Sequence, residues 1–166
     1  MTDPLTPGTR VGELVDLLTR RGETVATAES LTAGLLAATI AGVPGASKIL
    51  RGGLVVYATN LKETLAGVDP VSLAVDGPVS ASTAAGLAEA ARVRCTADWG
   101  IGLTGVAGPD TQDGHPVGTV FLGISGAGGH SVLELRLAGD RWGIRKSAVS
   151  AAVSELLDRV QETSAG

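Results

Sequence analysis

The stretch TVATAESLTAG, residues 24–34, decides the fold. Residues 24–28 form a short strand-like run, and residues 32–41 turn Ala-, Leu- and Ile-rich, as a packed helix requires. Ser30 stands at the junction between them. A strand that passes straight into a helix is the repeating unit of α/β proteins.

The alternation continues outward. Upstream, Val11, Leu14, Val15 and Leu18 recur at helical spacing over residues 9–20, and Gly22 suits the left-handed position that ends a helix. Downstream, residues 42–45 (GVPG) break the second helix. Residues 50–58, with Leu54, Val55, Val56 and Tyr57, read as an interior strand, and Asn60 is placed to cap a short helix through Ala66. Residues 68–78 hold two prolines and read as a connector. Ser80 caps an Ala-rich helix to Arg94, and residues 99–106 form a strand followed by a polar Gly/Pro loop. Residues 117–125 and 131–137 form a hairpin around the turn at 126–129. Asp140 caps a long helix ending near Val160, with residues 161–166 frayed. This order predicts one α/β domain over residues 1–166, a mixed sheet with helices on both faces.

Bulk composition bounds the partners. Of the 166 residues 44% are hydrophobic but only 2% aromatic, so the core is built from Val, Leu, Ile and Ala. Twenty-four glycines favour close helix packing and tight loops. Cys95, the single cysteine, excludes an internal disulfide and a cysteine-held zinc, and its Ala/Val neighbours predict a small buried thiol. Residues 1–8 lack the basic start and apolar stretch of a signal peptide. No apolar run approaches the ~20 residues of a membrane span. A net charge of -4 argues against broad affinity for nucleic acid. The expectation is a cytoplasmic protein with a small-molecule partner, and neither a membrane nor a nucleic acid as partner.

Four segments concentrate groups suited to chemistry. The first holds Ser30, Leu31, Thr32, Ala33 and Gly34: a serine at a strand-to-helix junction exposes its hydroxyl beside free helix-start N–H groups, which stabilise an oxyanion or hold a phosphate. Spacing alone favours a plainer alternative, in which Ser30 or Thr32 only caps the helix. The second holds Tyr57, Asn60 and Lys62. A serine nucleophile needs a base; His115 and His130 fall in solvated positions, whereas a lysine of depressed pKa serves, with Tyr57 to relay or position the proton. The plainer alternative is a surface lysine. The third, with Thr104, Gly105, Gly108 and Asp110, lets backbone approach a ligand closely or simply turns between strands, and it is neither a Walker loop nor a dinucleotide fingerprint. The fourth places Arg141 and Arg145 at a helix start, where either suits a substrate phosphate or solvent.

Together these blocks resemble the CinA C-terminal family. The resemblance runs from about Val11 to Leu157 and rests on ordered motifs: TAES (27–30) with Thr32 and Gly34, VPGAS (43–47), GGLVVY (52–57) with Asn60 and Lys62, TGVAGPD (104–110), PVGTV (116–120), and GDR (139–141) with Arg145. One block alone is weak; their order and spacing are specific.

The resemblance implies a three-layer α/β/α fold around a mixed sheet. It also implies a nicotinamide-nucleotide amidase that needs no metal or cofactor, converting nicotinamide mononucleotide to nicotinic acid mononucleotide and ammonia. The family's catalytic serine, tyrosine and lysine fall on Ser30, Tyr57 and Lys62. Substrate contacts then fall on Leu31, Thr32, Ala33, Gly34, Asn60, Thr104, Gly105, Gly108, Asp110, Arg141 and Arg145. Family members often self-associate, which leaves a homo-oligomer open. Two departures stand beside the serine: Leu31 where the family commonly has cysteine, and Ala33 where it commonly has glycine. The loop at 111–115 is also less charged than usual, and no activity of the larger N-terminal domain of full-length members is carried over. The departures keep alive a nucleotide-binding or regulatory module with weak or no turnover. An amidase acting on another small carboxamide is a third reading.

Overall fold

A computed structural model describes residues 3–163. Helix α1 (Val11–Arg21) buries the predicted stripe Val11, Leu14, Val15 and Leu18, and Gly22, at φ +66°, ends it. There the Gly22 and Glu23 amides donate to the carbonyls of Thr19 and Leu18. Strand β1 (Val25–Glu29) follows and is buried at every position. Helix α2 (Leu35–Ala41) starts three residues later than its composition predicts, because Ala33 and Gly34 are left-handed at φ +47° and +94°. A 3-10 turn (Ala46–Lys48) leads into β2 (Leu50–Val55).

Helix α3 (Thr59–Thr64) begins after Ala58, so Asn60 lies inside it rather than capping it. The segment expected to be a connector contains α4 (Pro70–Asp76). Pro70 reads as a breaker, yet at a first helical position its missing N–H costs nothing. Asp69 completes the start by accepting from the Ser72 amide at 2.9 Å. Helix α5 (Ala81–Arg94) is capped by Ser80, as its sequence predicts. Strand β3 (Trp99–Gly105) is followed by the hairpin of β4 (Thr119–Gly126) and β5 (Gly129–Arg136). Helix α6 (Arg141–Glu162) is capped by Asp140, and Gln161 and Glu162, expected to fray, belong to it; residues 164–166 lie outside the described residues.

The sheet order is β2-β1-β3-β4-β5, with β2, β1 and β3 parallel and β4 and β5 antiparallel. This is the predicted mixed sheet, with one correction: β2 is an edge strand, not an interior one. The apolar run at 54–57 looks buried on both sides, but Val55 and Tyr57 are 47% and 55% exposed while Val56 is buried. One face carries α1, α2 and α6 around Leu14, Leu36, Ile101, Leu103, Val153 and Leu156. The other carries α5, whose Leu87 and Ala91 meet Ala26 and Ala28 of β1, with half-buried Cys95 at the margin. Among the described residues no helix is long and apolar enough to cross a membrane.

Alternation along the strands sets how close α5 comes. Ile101 and Leu103 face the α1/α6 side, so Gly100 and Gly102 face α5. A Cβ on Gly102 would lie 2.5 Å from both the Ala84 carbonyl oxygen and the Ala88 nitrogen, backbone atoms that move only with the helix. The Ala-rich face of α5 and the glycine face of the sheet are one solution to a core without aromatics. From β1 the chain runs to β2 on one side, and β3 lies on the other. The carboxyl ends of β1 and β3 therefore open at a topological switch point, where α/β sheets bind ligands.

Gly102→Ala is expected to destabilise the protein by about 3 kcal/mol, lowering the melting temperature by roughly 6–12 °C. Gly12→Ala, in α1 with nothing within 4 Å of the added methyl, is expected to raise it slightly. Thermal unfolding of both variants checks the pair; an unshifted Gly102→Ala contradicts the close approach.

Candidate active site

Ser30 directly follows β1, and its amide donates to the Leu103 carbonyl of β3 at 2.9 Å, so the nucleophile position is tied to the sheet. The chain then reverses sharply. The Ala33 amide returns to the Ser30 carbonyl at 3.0 Å, and the left-handed pair Ala33–Gly34 aims the chain into α2. An alanine held there stores about 1 kcal/mol of strain that a glycine would not.

Glu29 closes the turn from inside. Its carboxylate, 1% exposed, accepts from the Leu36 amide at 2.8 Å, the Ala37 amide at 3.1 Å and the Thr27 hydroxyl at 3.1 Å. A buried carboxylate is tolerated at a helix N-terminus because those N–H groups and the helix dipole stabilise its charge. The Leu36 and Ala37 amides of α2 are thereby committed to Glu29, so free donors near the serine come from the turn ahead of the helix. In the turn after the serine, the Leu31, Thr32 and Gly34 amides make no hydrogen bond among the described residues, and Leu31 and Thr32 stand nearest to Ser30 in the chain.

Lys62 is the buried residue of α3, 2% exposed, and its Nζ lies 3.0 Å from Ser30 Oγ. The same nitrogen donates to the carbonyls of Val56 at 2.9 Å and Tyr57 at 3.4 Å, and no carboxylate pairs with it among the described residues. Burial without a counter-charge lowers its pKa from the ordinary 10.5 to about 8. Two carbonyls take two of its hydrogens. The third tetrahedral position faces Ser30, carrying a proton in the ammonium and a lone pair in the neutral amine. Neutral Lys62 is thus aimed as a base at the serine hydroxyl.

Both residues open into a cavity of about 310 Å³. Of the residues singled out from sequence, Ser30, Leu31, Tyr57, Lys62, Thr104, Gly105, Gly108, Asp110 and Arg141 border it; Thr32, Ala33, Gly34, Asn60 and Arg145 do not. Asn60 is exposed on α3. Ala33 is exposed as well, so of the two departures beside the serine only Leu31 touches the cavity. Arg141 donates to the Gly108 carbonyl at 2.5 Å and to the Tyr57 hydroxyl at 2.7 Å, leaving the tyrosine proton free for another acceptor. Arg145 is turned away: its guanidinium donates to the carbonyls of Leu31 at 2.9 Å and Thr32 at 3.1 Å. Neither histidine borders the cavity; His130 is exposed and His115 lies edge-on to Phe121.

Sequence reasoning missed Pro78 and Val79, which form a wall ahead of α5. No side-chain chemistry marks them in the sequence; the wall is tied to β3 because the Pro78 carbonyl accepts from the Thr104 hydroxyl at 2.6 Å. It also missed Ala107, which has no polar side chain to announce it. The amides of Ala107 and Gly108 make no hydrogen bond among the described residues, so the β3–β4 loop offers backbone donors opposite Ser30.

The fold and this site define a class: a three-layer α/β/α protein with a buried serine–lysine pair at the carboxyl ends of its parallel strands. Comparison with known proteins gives the family. The model of the CinA C-terminal domain matches residues 9–160, and the chain belongs to that family. It is 46% identical over 155 residues to a CinA-like protein of Frankia casuarinae, covering 93% of this chain and 35% of that protein. The chain therefore spans about a third of the length of the curated relatives it matches. Among solved structures it resembles the competence/damage inducible protein CihA from Agrobacterium tumefaciens (TM-score 0.82, 32% identity, 89% of this chain and 94% of that one). A CinA superfamily protein from Klebsiella pneumoniae superposes with TM-score 0.89 at 27% identity, over 92% and 96% of the two chains.

The lowered pKa of Lys62 has a stability consequence of fixed sign. Below about 8 both folded and unfolded chains carry the charged lysine, and the folded state bears the full cost of burying it. Between about 8 and 10.5 the folded state sheds the proton that the unfolded chain keeps, so stability rises. Relative to a Lys62→Met variant, the wild type is expected to gain up to about 3 kcal/mol across that window. Urea denaturation of both proteins at a series of pH values measures it, and a constant difference would refute the buried, uncompensated charge.

Proposed function

We propose that this protein is a nicotinamide-nucleotide amidase that hydrolyses the carboxamide of nicotinamide mononucleotide to nicotinic acid mononucleotide and ammonia. The observation that carries the reading is the 3.0 Å approach of a buried, carboxylate-free Lys62 to Ser30. Serine with a lysine base is acyl-transfer machinery. The family supports the choice of substrate, and a free nucleotide as substrate suits a cytoplasmic enzyme.

Neutral Lys62 takes the Ser30 proton as Oγ attacks the amide carbon. The tetrahedral oxyanion is held by backbone N–H groups that lack a protein acceptor, Leu31 beside the nucleophile and Ala107 and Gly108 across the cavity. As the C–N bond breaks, the Lys62 ammonium returns its proton to the leaving nitrogen, which departs as ammonia. Water then attacks the acyl-enzyme, gives a proton to Lys62 and releases the acid, while Ser30 Oγ recovers its hydrogen. Proton transfer is direct, because Tyr57 is engaged by Arg141 and its hydroxyl proton is left to bond the substrate. Arg141 is the cation on the cavity wall available to a 5′-phosphate.

Ammonia release from nicotinamide mononucleotide by the wild type, with a loss of at least 10³-fold in Ser30→Ala and Lys62→Ala, is the expected result. Saturable nucleotide binding without release would replace this reading with a binding module, and turnover of nicotinamide or its riboside in preference to the mononucleotide would replace the substrate. The base must be neutral, so kcat/KM is expected to rise with pH and level off above about 8. At pH 7 about one Lys62 in ten is in the active form. A profile flat from pH 6 to 9 would exclude Lys62 as the base.

A further inference from the structure

We propose that Arg145 is a positioning residue: it holds the nucleophile loop in its reactive shape instead of binding substrate. The role rests on the amidase reading for its substrate but not for its geometry. The loop between Ser30 and Gly34 has no regular structure of its own and passes through two successive left-handed residues, Ala33 and Gly34. Such a backbone persists only where its surroundings over-determine it. Glu29 fixes the far end by binding the first turn of α2. The near end, Leu31 and Thr32, is fixed by Arg145 alone among side chains, with Nε on one carbonyl and Nη2 on the next.

Two successive carbonyls held by one rigid fork fix two successive peptide planes. The plane fixed at the Thr32 carbonyl carries the Ala33 N–H, which donates to the Ser30 carbonyl at 3.0 Å. In a planar trans peptide that carbonyl points opposite to the Leu31 N–H, so the fork sets the direction of the Leu31 donor on the cavity wall. Leu31 and Thr32 carry the unpaired amides nearest the nucleophile. Arg145 thereby orients, through the Ala33–Ser30 hydrogen bond, a donor it does not touch. Its own orientation is set from behind: the guanidinium carbon lies 5.6 Å from the centre of the Trp142 ring, and no carboxylate pairs with it among the described residues. A planar fork is required for this task, and a lysine at the same place reaches only one carbonyl.

The decisive comparison is Arg145→Lys against Arg145→Ala, with Lys146→Ala as control because Lys146 also stacks on Trp142 but makes no contact with the loop. Two readouts are taken on each folded protein: kcat and KM for ammonia release from nicotinamide mononucleotide, and the rate at which a small sulfonyl fluoride labels Ser30, followed by intact mass. Expected are a 10- to 100-fold fall in kcat with KM within about threefold, a parallel fall in labelling, and partial rescue of Arg145→Ala by added guanidinium. The control keeps wild-type values. A raised KM at unchanged kcat would make Arg145 a substrate ligand and overturn the proposal, as would wild-type labelling in Arg145→Lys. Slowed labelling in a protein whose wild type releases no ammonia would uphold Arg145 while removing the amidase reading.

Discussion

The site depends on one uncompensated charge. Lys62 is buried against two backbone carbonyls and a serine hydroxyl, with no carboxylate to neutralise it. A salt bridge there would have held the amine charged and useless as a base. Desolvation pushes it the other way, to about 8, where a minority of the amine is neutral near physiological pH. The cost of this arrangement falls on stability, and the fold meets it with a core that is otherwise conventional: central strands β1 and β3 buried on both faces, with α1, α2 and α6 packed on one side and α5 on the other.

One carboxylate and one amine near Ser30 are separated by the sheet geometry. Glu29 precedes Ser30, yet its carboxylate is committed to α2 and Thr27, whereas Lys62 arrives from α3 beyond the edge strand. Adjacent positions on a strand point to opposite faces, so Glu29 and Ser30 serve different layers although they are consecutive. Had the carboxylate lain beside the amine, the two would have neutralised each other. The order Thr27–Glu29–Ser30 thus serves two purposes, anchoring the helix on one side and presenting the serine hydroxyl to Lys62 on the other.

Much of this was legible in the sequence, for physical reasons that can be named. The stripes of α1 and the hairpin of β4 and β5 obey simple periods, and Ser80 and Asp140 cap helices with short-range hydrogen bonds that a local reading can see. Pro70 was read as a break because the same residue starts helices and stops them, and only its position relative to Asp69 distinguishes the two. The edge position of β2 was hidden because apolar content does not reveal strand order. At the site, Ser30, Tyr57 and Lys62 were chemically plausible one by one, but their convergence is tertiary and no spacing contains it. Ala107 and Val79 carried no signal, since what they contribute is backbone and wall.

The sharpest limit of sequence reading lies in α6. Arg141 and Arg145 are one helical turn apart and chemically identical, so in sequence either suits a substrate phosphate or solvent. Their surroundings separate them. Arg141 stands at the exposed first turn, where it reaches across to Gly108 and Tyr57 on the cavity wall. Arg145 lies one turn deeper, against Leu31 and Thr32, where its donors meet carbonyls instead of open space. A single rigid helix therefore ties three separate segments of the chain, the nucleophile loop, the end of β2 and the β3–β4 loop, into one frame. The cation nearer solvent binds protein on the cavity wall itself, and the deeper one binds the loop behind it. Identical residue types acquire different surroundings because one meets a carbonyl and a tyrosine hydroxyl on the cavity wall and the other meets two successive carbonyls away from it.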